Sequence, residues 1–381
     1  MKPPNNTICV NPKHPKSILL VGSWPSDTGY AWKMIERFWI AIARAFPDRR
    51  TLLCFPEVRQ VNPEILAAGI EIHEFNFDFK SPAALTQFCG IHNVGLIYLT
   101  DHPYTSMIYP KLRRSGVERI IIHDHTPGQR TRPPAIKRFF KSLRVRTLGA
   151  DAYIACSEQV LDRLITVGCI PARQCHLAQN GVDLSQFPQP NPTIRQELRL
   201  PPEAVLAVSS SRLTPYKRVN DIVDAAALVG DANLHFIHIG DGPELDILKI
   251  RVRKYGIESR FTLLGRRNDV PRILSSCDIG VHASSGEVGL CLAILEFMAT
   301  GLALAVTDEP TVSAIIEPDV TGLTYPHGNI IALAEVLRTL AANPALRKRL
   351  GQAARMTVQS KYRIEETTAS VVHALQSSLS R

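Results

Sequence analysis

The sequence predicts an α/β protein with two doubly wound parallel-sheet domains, and three observations lead to this prediction. Short apolar runs alternate with helical patterns along most of the 381 residues, as they do in parallel βαβ units. The runs are almost continuously apolar, which is typical of strands buried on both faces of a sheet. A proline-rich segment at 187–202 interrupts the alternation, which then starts again. We therefore expect an interdomain linker at 187–202.

The predicted elements follow one another regularly on both sides of the linker. Strands are expected at 17–23, 51–55, 70–75, 94–100, 119–123 and 151–157, and then at 204–210, 233–240, 260–265, 278–284 and 302–307. Helices are expected at 31–46, 157–168, 219–229, 243–255, 290–299, 331–341, 345–360 and 364–379. The predicted domains are therefore 1–186 and 203–363, followed by a last helix in 364–381.

Composition places the chain among ordinary globular proteins. Hydrophobic residues make up 45% and charged residues 21%, which excludes a disordered, coiled-coil or collagen-like protein. No uncharged apolar run reaches the about 18 residues expected of a membrane-spanning helix, and the polar segment 1–16 does not resemble a secretory signal. The eight cysteines form no C-x-x-C pair, so we expect buried thiols in a reducing compartment and no zinc ribbon.

A basic turn follows the first predicted strand of the second domain. Arg212 and Lys217 come directly after the strand at 204–210. A planar guanidinium beside a compact ammonium suits a diphosphate. The alternative is a solvated basic loop.

A glycine turn follows the next predicted strand. The motif GDGP at 240–243 starts with Gly240 and Asp241. Its glycines allow a ligand to approach the backbone closely, and Pro243 is expected at the first helical position. The alternative is an ordinary strand-to-helix turn.

A glycine-containing loop leads into the apolar helix expected at 290–299. The N–H groups that follow Gly289 make a positive helix start suited to phosphate. Glu287 and Glu296 are carboxylates in apolar surroundings, where each must pair or bind a polar group such as a ribose or sugar hydroxyl. The alternative is a buried structural ion pair.

The strand at 119–123 ends in titratable residues, which are His123, Asp124 and His125. A histidine can donate a hydrogen bond to a sugar hydroxyl or carry a proton near neutral pH. The His-Asp-His pattern also resembles a metal site, but no third ligand has a clear spacing, so we expect no metal.

Taken in chain order, six motifs resemble the C-terminal half of family 4 glycosyltransferases. They are R-x4-K at 212–217, GDGP at 240–243, F-x2-LG at 261–265, CDIGV at 277–281, the glycine loop with two glutamates at 286–299, and TGLxYP at 321–326. NGVD at 180–183, followed by Phe187, also matches that family. The resemblance covers about residues 150–330, and the first 120 residues match only in rhythm.

The resemblance implies the GT-B fold, in which two Rossmann-like domains face each other across a cleft. It implies transfer of a sugar from a nucleoside-diphosphate sugar with retention of configuration. Residues 1–186 would then be the acceptor side and 203–363 the donor side, and the helix in 364–381 would cross back to the first domain. No bound cofactor and no metal are expected, because two cationic side chains already face the diphosphate.

The resemblance also implies individual roles in the second domain. Arg212 and Lys217 would hold the donor diphosphate and stabilise its departing charge. Glu296 would bind the ribose, and Glu287 would lie near the transferred sugar. The remaining donor-site residues implied are Gly240, Asp241, Gly289, Leu290 and Cys291.

In the first domain, the resemblance implies that Gly29 approaches the diphosphate and that His125 lies near the donor sugar, with His123 as the alternative histidine.

The sequence departs from the family pattern at two positions in the second domain. Eight residues separate Glu287 from Glu296 where the family has seven, and Arg218 stands where the family usually has glycine after the lysine.

The net charge of +9 lies almost entirely in residues 1–186, which indicates an anionic partner. Segment 111–146 is rich in Lys and Arg and contains only two carboxylates. Within it, 135–148 has the pattern of a basic amphipathic helix, and the expected partner is an anionic membrane surface or an anionic or lipid-linked acceptor. The alternative is a helix that packs on the core through its apolar face.

The sequence therefore predicts a retaining glycosyltransferase whose donor is a nucleoside-diphosphate sugar and whose acceptor is unidentified. The alternatives are a nucleotide-sugar epimerase of GT-B fold and a non-catalytic relative that binds nucleotide sugars. Nucleic acid is not an expected partner, because the sequence shows no recognisable nucleic-acid-binding fold. The expected location is cytoplasmic or peripheral on the cytoplasmic face of a membrane.

Overall fold

The computed structural model describes residues 15–27, 29–30, 33–126, 131–187, 193–287 and 289–380. Segment 188–192 of the predicted linker, segment 127–130 after the His-Asp-His motif and Val288 of the glycine loop lie outside these residues. The chain forms two compact units. One comprises Met1–Ala178 with Thr368–Arg381, and the other comprises Gln179–Thr367.

The first unit is built on a seven-stranded sheet in the order β3-β2-β1-β4-β5-β6-β7, with every pairing parallel. The strands are β1 (Ser17–Val21), β2 (Thr51–Phe55), β3 (Glu71–Glu74), β4 (Val94–Thr100), β5 (Arg119–Asp124), β6 (Ala152–Ala155) and β7 (Cys175–Leu177). Every residue of β1, β2 and β4 is buried, as expected of parallel strands covered on both faces. The edge strand β3 is polar at both ends and exposed there.

Helices connect these strands, and most of them bury one face. They are α1 (Lys33–Ala45), α2 (Pro63–Ala67), α3 (Pro82–Ile91), α4 (Ile108–Arg114), α5 (Ala135–Leu148) and α6 (Glu158–Thr166), with part of the last helix of the chain, α15 (Ile364–Leu379). In α1, for example, Ile35, Phe38, Trp39 and Ile42 are buried at the i, i+3, i+4, i+7 spacing of an amphipathic helix.

The second unit contains a six-stranded sheet in the order β10-β9-β8-β11-β12-β13, again with every pairing parallel. Its strands are β8 (Val205–Ser210), β9 (Leu234–Ile239), β10 (Phe261–Leu263), β11 (Ile279–His282), β12 (Ala303–Thr307) and β13 (Leu323–Tyr325). Its helices are α7 (Thr193–Glu197), α8 (Val219–Val229), α9 (Leu245–Lys254), α10 (Val270–Leu274), α11 (Leu292–Thr300), α12 (Pro310–Ser313), α13 (Ile330–Ala342) and α14 (Pro344–Lys361). One core cluster joins β8, β9 and β11 to α8 and α13.

The two all-parallel sheets confirm the predicted α/β class, and each predicted strand is present. The edge strands β7 and β13 were not predicted, because their three-residue sequences CHL and LTY form no apolar run. One local prediction is wrong: α9 begins at Leu245, and Pro243 lies in the turn before it. Proline suits either place, since its fixed φ fits a tight turn as well as a first helical turn.

Within the described residues, no helix combines the length and apolarity needed to cross a bilayer. The seven cysteines described there have free thiols, and four of them are buried. These four agree with the prediction of buried thiols; the other three are half-buried.

Candidate functional site

The strand order of the second unit reverses between β8 and β11. The chain forms β8 first, adds β9 and β10 on one side, and then adds β11, β12 and β13 on the other. Ligands of doubly wound sheets bind outside the carboxyl ends of the strands at such a reversal. The basic turn after β8 and the glycine loop after β11 both lie at this edge, and the N–H of Ser285 donates to the carbonyl of Tyr216 at 2.7 Å.

The two predicted diphosphate-binding cations have different surroundings. Arg212 is exposed, and its guanidinium forms no hydrogen bond or ion pair with any described residue. Lys217 ends the short 3₁₀ turn Pro215–Lys217, and its Nζ lies 2.5 Å from Oε1 of Glu287. Both side chains of that pair are about nine-tenths buried, at 12% and 11% exposure. The structure thus brings together Lys217 and Glu287, which the sequence placed in two separate motifs.

A histidine that the sequence analysis missed completes this group. His282 is the last residue of β11, and its Nε2 lies 2.7 Å from the same Oε1 of Glu287. Sγ of Cys291 lies 3.5 Å from that nitrogen. The available signal was its position, at the carboxyl end of a buried strand and five residues before Glu287. The backbone N–H of Glu287 donates to Thr311 Oγ1 at 2.9 Å, which fixes the loop.

The charges of this group stabilise one another. Burial by itself would raise the pKa of Glu287, but its hydrogen bonds and ion pairs with His282 and Lys217 lower it to about 2. Burial would lower the pKa of His282, but Cys291 and Glu287 raise it to about 9. Burial would likewise lower the pKa of Lys217, yet the Glu287 carboxylate holds it above its usual value. The Glu287 carboxylate therefore lies between the Lys217 ammonium and the His282 imidazole and raises the pKa of both.

The donor atoms of His282, Glu287 and Cys291 also lie within 4.8 Å of one another, a spacing that a metal ion could use. The Lys217 ammonium contacts the same Glu287 oxygen as His282. A cation at that oxygen would have to displace Lys217, so the present contacts fit a hydrogen-bonded ion pair better than a metal site. That no metal is needed stays a prediction.

The start of α11 offers backbone N–H groups. Gly289 has a φ of +65°, and Cys291 is the N-cap of the helix, without a side-chain capping bond. Within the part of the chain that the structure describes, the N–H groups of Gly289, Leu290 and Cys291 have no acceptor. Asn180 Nδ2 donates to the carbonyl of Leu290 at 3.2 Å and so ties the NGVD motif to this loop. Free N–H groups at a helix start form an anion site.

Glu296, the predicted ribose ligand, lies in the second turn of α11 and is half-buried.

Arg218, which stands where the family usually has glycine, has a φ of +51° in the left-handed region. Its guanidinium pairs with Asp221 at 2.6 Å. The conformation explains why glycine suits this position, and the ion pair directs the arginine toward α8.

The GDGP motif supports the basic turn directly. A Cβ on Gly240 would lie 2.0 Å from the carbonyl oxygen of Ser211, and Gly240 has a φ of +135°. The N–H of Leu213 donates to the carbonyl of Asp241 at 2.9 Å. The glycine is therefore required for the close packing of two adjacent turns, and it places Gly240 and Asp241 beside Arg212.

The His-Asp-His residues of the first unit form a buried polar network at the carboxyl end of β5. Asp124 accepts from Arg163 at 2.9 Å and from the Thr126 N–H at 2.9 Å, and it also accepts from the Tyr104 hydroxyl. Although burial would raise the pKa of Asp124, these hydrogen bonds lower it. Asp124 is thus engaged in the hydrogen-bond network that holds the end of β5.

The two histidines of the motif differ in position. His123 lies within β5, is fully buried, and has its Nδ1 2.6 Å from the Tyr98 hydroxyl. His125 follows the strand, and its backbone N–H donates to Asp101 Oδ1 at 2.5 Å. Burial lowers the pKa of both histidines, to about 4 for His125, so both are neutral near pH 7. Nε2 of His125 has no partner among the described residues.

Asp101 is a second titratable residue at the end of a strand that the sequence did not single out. It follows β4 with a φ of +57°, and burial raises its pKa to about 6. Gly29 lies in the loop after β1 with a φ of +100°. In this sheet the order reverses between β1 and β4, so Gly29 and Asp101 follow the two strands at the reversal.

Two family models match most of the chain. The model described as "Glycosyltransferase Family 4" matches residues 35–186. The model described as "Glycosyl transferases group 1" matches residues 190–357.

Individual proteins with similar sequences or structures agree with these matches. N-acetyl-alpha-D-glucosaminyl L-malate synthase of Bacillus anthracis is 26% identical over 174 residues, covering 45% of each chain. UDP-Gal:alpha-D-GlcNAc-diphosphoundecaprenol alpha-1,3-galactosyltransferase of Escherichia coli is 36% identical over 137 residues, covering 34% of this chain and 35% of that one. The chain spans about half the length, or less, of the curated relatives it matches. The crystal structure of Anabaena HepE in complex with UDP-glucose superposes with a TM-score of 0.75 at 19% identity, covering 95% of this chain and 99% of that one.

Proposed function

Because the chain belongs to the family 4 glycosyltransferases and has their GT-B fold, we propose that it moves a sugar from a nucleoside-diphosphate sugar to an acceptor with retention of configuration. One observation carries the proposal. The turn that bears Arg212 and Lys217 contacts the loop that leads into α11, at the strand-order reversal of the second unit. Cations and free N–H groups meet there, where an anionic ligand of a doubly wound sheet is expected.

The charges at this edge suit a diphosphate. Lys217 and protonated His282 flank the single Glu287 carboxylate, and Arg212 is exposed beside them. A net positive site attracts the two negative charges of a diphosphate. It also stabilises the further charge that develops as the diphosphate leaves, an electrostatic effect worth about 3 kcal/mol for one well-placed donor in other enzymes.

Glu287 acts in this proposal as an ionised hydrogen-bond acceptor. With its pKa at about 2, it carries no proton to donate at neutral pH. It would accept hydrogen bonds from hydroxyls of the transferred sugar while Lys217 and His282 hold it in place. Glu296 would bind the ribose, and the N–H groups at Gly289, Leu290 and Cys291 would bind phosphate.

We also keep Gly29 and His125 as proposed contacts to the donor. Neutral His125 has an unpartnered Nε2 that suits a hydrogen bond to a sugar hydroxyl. His123 is the weaker alternative: its Nε2 is also unpartnered among the described residues, but the ring is fully buried within β5 with its Nδ1 against the Tyr98 hydroxyl.

UDP is the first nucleotide to test. The Anabaena structure contains UDP-glucose, and the Escherichia coli relative is named for UDP-Gal and a diphosphoundecaprenol acceptor. We therefore propose a UDP-sugar donor and a lipid-linked acceptor, with the diphosphate held by side chains and N–H groups and without a metal.

The test measures UDP release from UDP-glucose, UDP-galactose and UDP-N-acetylglucosamine, with GDP- and ADP-sugars as controls. The acceptor supplied is undecaprenyl-diphosphate-linked N-acetylglucosamine. We expect acceptor-dependent release that Arg212→Ala slows about 100-fold, while Lys249→Ala, which removes an exposed cation of α9, leaves it unchanged.

Other outcomes distinguish the alternatives. Conversion of the donor sugar without any acceptor would identify an epimerase. Binding of nucleotides without any turnover would favour a non-catalytic relative. Loss of the transfer in chelator would contradict the metal-free proposal.

A further inference from the structure

The apolar side chains of α5 are exposed to solvent. Ile136 and Phe139 are each 65% exposed, Phe140 is 62% and Leu143 is 51% exposed. With 3.6 residues per turn these four lie on one side of the helix, and Val145, the buried residue of α5, lies on the opposite side. The helix therefore presents its apolar strip away from its own unit. The alternative of a helix that packs on the core through this strip is excluded.

The same helix is strongly and exclusively basic. It contains Lys137, Arg138, Lys141, Arg144 and Arg146 and no carboxylate. Lys141 donates to the carbonyl of Val167 at 2.5 Å. The other four cations are exposed, and none of them forms an ion pair with a described residue.

Helix α9 provides a comparison within the same chain. It also exposes apolar side chains, Ile247 at 58% and Ile250 at 65%. Its charges differ from those of α5: Lys249 pairs with Asp246 at 3.2 Å within the helix and Arg251 pairs with Asp224 at 2.7 Å, while Arg253 and Lys254 are exposed. Four exposed large apolar side chains and the lack of any carboxylate therefore distinguish α5 from α9, which exposes two such side chains and contains Asp246.

We propose that α5 lies flat on an anionic lipid bilayer, with Ile136, Phe139, Phe140 and Leu143 entering the boundary between head groups and acyl chains. The flanking cations would contact lipid phosphates. Aromatic residues favour this boundary, and basic side chains are attracted to anionic leaflets. Charge complementarity selects lipid over a second copy of this basic chain, because two such faces would repel each other.

This inference goes beyond the proposed function and does not rest on it, since α5 carries none of the proposed donor contacts. If both hold, docking would bring the protein to the surface at which a lipid-linked acceptor is found.

The test is flotation of the full chain with phosphatidylcholine vesicles that either contain or lack phosphatidylglycerol, at low and high salt. We expect binding only to the anionic vesicles and weaker binding at high salt. Phe139→Ser/Phe140→Ser should weaken the partition at least about tenfold. Lys137→Glu/Arg144→Glu should abolish the preference for anionic lipid. The matched control, Ile247→Ser/Ile250→Ser on α9, should bind like the wild type.

Three results would overturn the proposal. One is failure of the wild type to bind anionic vesicles at low salt. Another is unchanged binding by the Phe139/Phe140 double variant. The third is evidence that protein covers the strip. Such evidence would be a melting temperature several degrees lower in that variant than in the wild type, or a wild type that is dimeric in solution while the variant is monomeric.

Discussion

At the scale of single residues, Glu287 between Lys217 and His282 determines the charge of the candidate donor site. The sequence supplied Lys217 and Glu287, because each follows a predicted strand in a recognisable motif. It did not supply His282 as their partner, because its position at the carboxyl end of a strand marks it as a candidate but does not show which side chain it contacts. Their contact depends on the path of the loop between residues 282 and 291, which is a tertiary property.

The pH dependence of stability tests this group. Because the pKa of His282 is raised from 6.5 to about 9, its contribution to stability is fully present below pH 6.5. It is lost as the pH rises toward 9. We expect the melting temperature to fall across that interval, and His282→Gln to remove part of the fall. Differential scanning fluorimetry of both proteins measures it.

The control is His373→Gln, which changes an exposed histidine of α15. It should leave the pH dependence between 6.5 and 9 as in the wild type. Equal pH dependences for the wild type and His282→Gln would show that His282 is not held protonated by Glu287 and Cys291.

A second residue-scale prediction concerns Arg218. Since its guanidinium pairs with the buried Asp221, we expect Arg218→Ala to lower the melting temperature by leaving that carboxylate without its partner. Affinity for UDP should change less than about threefold, well below the 1.4 kcal/mol that a tenfold change represents. A large loss of affinity without loss of stability would instead make Arg218 a donor contact.

At the scale of elements, the turns after β8 and β9 determine where Arg212 is held. The sequence predicted both strands and both turns. It did not predict that the turns pack on each other, because strand order is set by non-local pairing. The glycines of GDGP were expected to leave room for a ligand. The structure gives Gly240 a packing reason as well, because a Cβ there would lie 2.0 Å from the carbonyl oxygen of Ser211.

Gly240→Ala tests this packing. The added Cβ would overlap the Ser211 carbonyl, and alanine would be strained at a φ of +135°. We expect a loss of stability of about 2–4 kcal/mol together with weaker UDP binding, because the turn carrying Arg212 must move. Thermal unfolding and a UDP titration measure the two effects.

Gly256→Ala is the matched control, since Gly256 also has a positive φ but its Cβ would meet nothing within 4 Å. It should cost only about 1 kcal/mol and leave UDP binding intact. If both variants behaved alike, the strain would lie in φ alone and the contact between the two turns would be irrelevant.

The basic helix shows another limit of prediction at this scale. The sequence located α5 and its amphipathic pattern, and it left open whether the apolar side faced the core or the outside. Amphipathicity is the same in both cases. The burial of Val145, on the side of α5 opposite the apolar strip, shows that the strip faces outward.

At the scale of the whole molecule, the alternation of strands and helices was sufficient to predict two parallel-sheet units, and the resemblance carried by six ordered motifs predicted their family. The family resemblance then assigned roles that no single motif supports. The net charge of +9 is unevenly divided between the two halves of the chain. The exposed cations of α5 belong to the first unit, and the cations proposed for the diphosphate belong to the nearly neutral second half.

We propose above all that Arg212 and Lys217 hold the diphosphate of a UDP-sugar, and calorimetric titration with UDP is the sharpest test of that role. We expect the wild type to bind UDP, and Arg212→Ala and Lys217→Ala each to weaken that binding about tenfold or more. Lys249→Ala should bind as the wild type does. Unchanged affinity in both site variants, or no binding of UDP, GDP or ADP by the wild type, would contradict the claim.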